Sequence, residues 1–135
     1  MMYYGEIYIS LIRFNMNETL SILHFNDVYD IQPEKVEPKG GAAYFKVLLE
    51  QYRRKDTLTL FSGDVFAPSL LSSAYKGRNM LKPLNSFKID LACLGNHDLD
   101  YTYNHVVELK NSTNFPWLCS NIFDKRTNKR MIDCE

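Results

Sequence analysis

Apolar positions along the chain alternate between two spacings, short runs suited to strands and stretches of three-to-four spacing suited to helices. Residues 19 to 25, TLSILHF, predict a strand that runs into the polar pair Asn26-Asp27. Gly40-Gly41 then precede a helix with Phe45, Leu48, Leu49 and Tyr52 on one face, a stripe read as core. Thr57 to Phe61 is a second strand, ending at Ser62-Gly63-Asp64. A helical stretch starts near Ser69 and continues through the seventies and eighties, broken by Gly77 and Pro83. Ile89 to Leu94 is a third strand and ends at Gly95-Asn96-His97-Asp98. A helical pattern around Val106, Val107 and Leu109 follows, and Trp117 to Cys119 makes a fourth strand before Ser120-Asn121. Strands that alternate with helices predict an α/β domain with mixed or parallel sheets flanked by helices. It is placed at residues 19–135, with residues 1–18 as an amino-terminal extension.

Composition narrows the function more than the fold. A chain of 135 residues with 45% hydrophobic content suffices for one folding unit. Lys plus Arg and Asp plus Glu balance at 16 each, without long single-sign runs, which excludes the basic footprint of a nucleic-acid binder. Cys93, Cys119 and Cys134 are odd in number and lack CxxC spacing, so neither a disulfide framework nor a structural zinc site is expected. In the amino-terminal MMYYGEIYISLIRF, Glu6 and Arg13 bound an apolar run too short to span a membrane. The segment also lacks the basic start and small-residue cleavage pattern of a signal peptide, and the expected location is cytoplasmic.

The chemistry lies at the strand ends. Each apolar run delivers small or acidic polar residues just past its carboxyl end, where open α/β sheets gather ligands. One aspartate after a strand is ordinarily a turn or cap residue. Four strand ends treated the same way point to one site. Asp27, Asp64, Asn96, His97 and Asp98 supply the oxygen and imidazole donors that hard or borderline divalent cations accept, and no thiolate set competes with them. His24, inside a strand, and His105, inside a helical pattern, are read as satisfied or solvated histidines and not as ligands.

The blocks ILHFNDVYD, FSGDVFAPS, LGNHDLD and CSNI, with Gly40-Gly41 between the first two, resemble the 5'-nucleotidase branch of the calcineurin-like metallophosphoesterases over residues 19 to 124. That resemblance implies a layered α-β-β-α sandwich with two central sheets and two divalent metal ions such as Zn or Mn at the strand ends. It also implies hydrolysis of phosphorylated small molecules, nucleotides above all, by a hydroxide that the two metals activate. Carried over residue by residue, Asp27 would hold the first metal, Asp64 would bridge both and Asn96 would bind the second. A bridging carboxylate offsets the repulsion of two dications about 3.5–4 Å apart. His97 would stabilise the transition state or protonate the leaving oxygen, and Asp98 would orient its ring. Asn121 of CSNI would lie near the phosphate or the metal edge. Gly63 and Gly95 would let the backbone approach the metals.

Two departures qualify the resemblance. The family's first block reads D-x-H, with the histidine as a ligand, whereas this chain has Asp27-Val28-Tyr29. Tyr29 either coordinates the first metal after losing its proton or only hydrogen-bonds and leaves that site weaker. The family also draws further histidines from strand ends beyond the GNHD block, and the carboxyl-terminal half that would carry them is missing from these 135 residues. Two readings follow: a nucleotide hydrolase that this chain completes only in part, inactive alone, or a truncated, non-catalytic remnant of one. Parallel strands are covered on both faces in such domains, so apolar sheet surface should lie bare without the second half.

Overall fold

The computed structural model describes residues 7–15, 18–36 and 40–130. Five strands form a single sheet in sequence order: β1 (Ile7–Asn15), β2 (Glu18–Phe25), β3 (Thr57–Phe61), β4 (Leu91–Cys93) and β5 (Trp117–Leu118). β1 runs antiparallel to β2, and the other pairs are parallel. The mixed α/β architecture is the expected one. The stretch read as an extension supplies the edge strand β1, while Met1–Glu6 and Cys134 lie outside the described residues. Among those residues the sheet stands alone, and the second sheet of the expected sandwich is not found in them.

Four helices connect the strands: α1 (Ala42–Tyr52), α2 (Leu70–Tyr75), α3 (Leu81–Ser86) and α4 (Tyr103–Asn111). α1 starts directly after Gly40-Gly41, as its sequence predicts, and the Ala42 amide donates to the Ile31 carbonyl at 3.0 Å. α2 is opened by Ser69, whose hydroxyl accepts from the Ser72 amide while the Ser72 hydroxyl accepts from the Ser69 amide, so two otherwise orphaned donors are satisfied. The chain breaks after α2 at Lys76-Gly77, as expected. Pro83 does not break the helix. It sits in the first turn of α3, where the missing N–H would have had no helical partner.

In the sheet, register sets Phe25 beside Phe61, Phe61 beside Ala92, and Ala92 beside Trp117, all buried on one face. Leu49 of α1, Leu84 of α3 and Leu109 of α4 pack against that row. Its rings meet edge-on, Phe25 to Phe45 at 4.9 Å and Phe61 to Trp117 at 6.0 Å. Such pairs add about 0.5–1.5 kcal/mol each beyond the area they bury. On the opposite face Ile22, Leu58, Leu60 and Leu91 are half-buried, and Cys93 and Leu118 are exposed. The sequence makes both faces apolar, but only one is covered by helices.

The helix stripe read as core is only partly core. Phe45 and Leu49 pack inward, whereas Leu48 and Tyr52 are 38% and 48% exposed. Leu48 lies at the edge of the stripe and Tyr52 at the last position of the helix, so the apolar arc is wider than the surface it meets. No helix among the described residues is long and apolar enough to cross a membrane.

Candidate functional site

Three parallel strands end side by side, and the loops that leave them are laced together by backbone hydrogen bonds. Ser62 donates to the Phe25 carbonyl at 3.0 Å, and Asp27 donates to the Gly63 carbonyl at 3.1 Å. Asp27 and Asp64 both adopt left-handed backbone, with φ of 57° and 62°. Aspartate tolerates this region better than most residues, yet it still costs about 1–3 kcal/mol at each position. The strained turns lift both carboxylates off the strand ends into one cleft.

Gly63 and Gly95 make the close approach of these loops possible. A β-carbon on Gly63 (φ 79°) would fall 2.7 Å from the Leu94 carbonyl carbon and collide with the Gly95 amide. One on Gly95 would lie 2.6 Å from the Asp64 amide and overlap its carboxylate. The GNHD turn therefore presses directly against Asp64, whose Oδ1 accepts the His97 backbone N–H at 2.8 Å.

A cleft of about 770 Å³ opens over these residues, lined by Asn26, Asp27, Tyr29, Asp30, Asp64, Pro68, Ser69, Leu70, Asn96 and His97. It gathers five of the seven residues singled out from the sequence: Asp27, Tyr29, Asp64, Asn96 and His97. Asn96 is exposed at its edge. Asp98 and Asn121 are not among its lining residues.

Asp98 has a different place from the one expected. Its side chain is fully buried and does not meet the His97 ring. Its Oδ1 accepts from the Val65 and Phe66 amides at 2.9 and 3.0 Å, and its Oδ2 from the Asp64 and Gly95 amides, both at 2.9 Å. Burial pushes this carboxyl above its ordinary range, while the four amide donors, which suit the ionised form, oppose the rise. Asp98 thus ties the two loops of the site together from beneath.

The partner of His97 is Asp100, not the adjacent Asp98. Asp100 Oδ2 lies 2.9 Å from His97 Nδ1, one 3₁₀ turn later in the chain. In such a turn side chains three apart eclipse, so an aspartate at the third position after the histidine, not the next one, reaches the ring. This hydrogen bond is the main reason the imidazole titrates above the ordinary histidine value; partial burial opposes it, and the charges of Asp100, Asp64 and Asp27 reinforce it. The His–Asp spacing in GNHDLD was the available signal.

Asn121 follows the edge strand β5 and is exposed. Its neighbour Ile122 packs with Val106 and Cys119, and the chain turns there into the bridge between Phe123 and Arg130. His24 meets the Ser62 hydroxyl at 2.7 Å and His105 meets the Lys76 carbonyl at 2.6 Å, which agrees with reading neither as a ligand.

Tyr29 is buried, with its hydroxyl donating to Asp27 Oδ1 at 2.7 Å. Asn26 Nδ2 donates to the other oxygen, Oδ2. Burial first, then the bond to Asp27, then the charges of Asp64, Asp27 and Asp98 push the phenol up from its ordinary value. As a cation site, the cleft fits in kind, since two carboxylates and an amide offer hard oxygen donors. It falls short in number: among the described residues no three His, Cys, Asp or Glu side chains converge to hold a metal ion.

The sequence profile of the calcineurin-like phosphoesterases matches residues 20–132. The chain belongs to that family. Family relatives include the 5'-nucleotidase of Vibrio cholerae, 30% identical over 120 residues that cover 84% of this chain and 22% of that protein. The human 5'-nucleotidase is 30% identical over 116 residues, covering 76% of this chain and 20% of its own. The chain thus spans about a fifth of the length of these relatives. Among solved structures, the NAD nucleotidase of Haemophilus influenzae superposes with a TM-score of 0.67 at 23% identity, over 93% of this chain and 22% of that one, a likeness of fold. The matched region takes in every strand end that lines the cleft.

Proposed function

We propose that this chain carries the first part of the active site of a metal-dependent phosphoester hydrolase that acts on nucleotides. The observation that carries the reading is the junction of Asp64 with the GNHD turn, which brings two strand-end carboxylates, Asn96 and His97 to one cleft. Asp27, Asp64 and Asn96 would hold the divalent cations. When bound, such ions polarise the phosphoryl oxygens and make water a competent nucleophile near neutral pH. Nucleotide substrates are favoured because the relatives at about 30% identity are 5'-nucleotidases.

The chain's own residues then have separable tasks. Hydrolysis forms a bond from a water oxygen to phosphorus and breaks the bond from phosphorus to the ester oxygen. His97, on the rim of the cleft, gives its proton to that leaving oxygen. Asp100 holds the ring by Nδ1, which leaves Nε2 to face the substrate and favours the protonated form. Asp98 keeps the two loops in register and touches neither substrate nor cation.

The small number of donors favours a second reading, a remnant that binds phosphate esters or a single cation without turnover. Phosphate release from a panel of nucleotides in the presence of Mn or Zn, by protein expressed from the full reading frame, separates the two. Turnover supports the hydrolase, and binding without turnover supports the remnant.

A further inference from the structure

Tyr29 stands where most of the family places a metal-binding histidine, and its surroundings define a different task. The residue is 8% exposed, and its ring meets the His97 ring edge-on, with centroids 6.4 Å apart and planes at 82°. That packing fixes the direction of the phenol. The hydroxyl's one hydrogen is given to Asp27 Oδ1 at 2.7 Å, and the Asn26 amide holds Oδ2. Both oxygens of Asp27 are therefore gripped by donors of its own loop, while its backbone is held in the left-handed region.

We infer that Tyr29 is a positioning residue that clamps Asp27, not a metal ligand, and that the first cation position, which gains no imidazole from residue 29, favours Mn²⁺ or Mg²⁺ over Zn²⁺ more than it would with a histidine there. This rests on the reading of Asp27 and Asp64 as cation ligands. A hydroxyl that donates to Asp27 Oδ1 keeps its proton, and a neutral phenol is a poorer cation ligand than a carboxylate or an imidazole. Without imidazole at this position, what these residues offer the first cation is the carboxylates of Asp27 and Asp64, the donors suited to hard ions, whereas imidazole suits zinc. The clamp compensates in part, because hydrogen-bonded carboxylates are pre-oriented, and such supporting contacts typically change metal affinity about 10–100-fold.

Calorimetric titration with Mn²⁺ and with Zn²⁺ of protein from the full reading frame tests this, using wild type, Tyr29→Phe, Tyr29→His and Asp64→Asn. Tyr29→Phe keeps the ring and its packing. It is expected to bind the same number of equivalents as wild type, with Mn²⁺ about tenfold weaker, the low end of what a lost supporting contact costs. Tyr29→His is expected to raise the ratio of Zn²⁺ to Mn²⁺ affinity. Loaded with Fe(III), the wild type should show no phenolate-to-iron charge-transfer absorption. A visible band that disappears in Tyr29→Phe, or loss of one metal equivalent in that variant, would make Tyr29 a ligand and overturn the inference. Unchanged Mn²⁺ affinity in Tyr29→Phe would overturn it by removing the clamp. If Asp64→Asn binds both metals as wild type does, the cation centre itself is misplaced and both readings fall together.

Discussion

Asp64 accepts the backbone N–H of His97 at 2.8 Å, so the second and third loops of the cleft meet at a carboxylate oxygen. The turn that carries His97, the proposed proton donor, is thereby fixed to a side chain that would hold a cation. The geometry depends on the absence of a side chain at Gly95, where a β-carbon would overlap that carboxylate. Gly95→Ala should therefore displace Asp64 or the turn. Overpacking of this kind costs about 1–3 kcal/mol. Thermal unfolding should show that loss, and Mn²⁺ affinity should fall with it, whereas an unchanged affinity would mean the contact is not needed.

His97 and Asp100 are joined by a hydrogen bond, and the proposed proton transfer uses both. His97→Ala should lower kcat by roughly 10²–10⁴, the range for a lost general acid, with metal content largely kept. The deficit should shrink for esters with good leaving groups, since these need no proton. Asp100→Asn should give a smaller loss of the same kind.

The pH dependence follows from the same pair. The folded protein holds the His97 imidazole above its ordinary value, chiefly through Asp100. A raised histidine stabilises the fold below its unfolded value and loses that contribution as pH rises through the folded one. In Asp100→Asn the titration of the His97 ring, followed by NMR, should move down towards the ordinary histidine value. If it stays where the wild type has it, Asp100 is not the cause of the shift.

Asp98 should behave as a structural residue. Asp98→Ala would leave four amide donors in a buried site without their acceptor. A loss of about 3–5 kcal/mol of stability is expected, the cost of breaking a buried charged network. Denaturant unfolding measures it. A stably folded Asp98→Ala with selectively reduced kcat would return this residue to catalysis.

The strand ends were legible in the sequence because apolar runs stop abruptly at Asn26-Asp27, Ser62-Gly63-Asp64 and Gly95-Asn96-His97, and backbone direction alone then brings them to one edge of the sheet. The roles of neighbouring aspartates were not. Whether Asp98 or Asp100 meets the His97 ring depends on the 3₁₀ turn that follows Asn96, and sequence spacing does not specify a turn of that kind. Strand β1 was hidden for another reason. As an edge strand it has a neighbour on one side only, and Ile9 and Ile12 remain 45% and 42% exposed, so its pattern carries little of the burial signal that marks a central strand.

Whether Asp64 holds a catalytic cation is decided by phosphate release from a nucleoside 5'-monophosphate by protein from the full reading frame, measured with Mn²⁺, after chelation, and in Asp64→Asn. Turnover is expected that chelation abolishes, that returned Mn²⁺ restores, and that Asp64→Asn reduces to background. Turnover that survives both chelation and Asp64→Asn would contradict it.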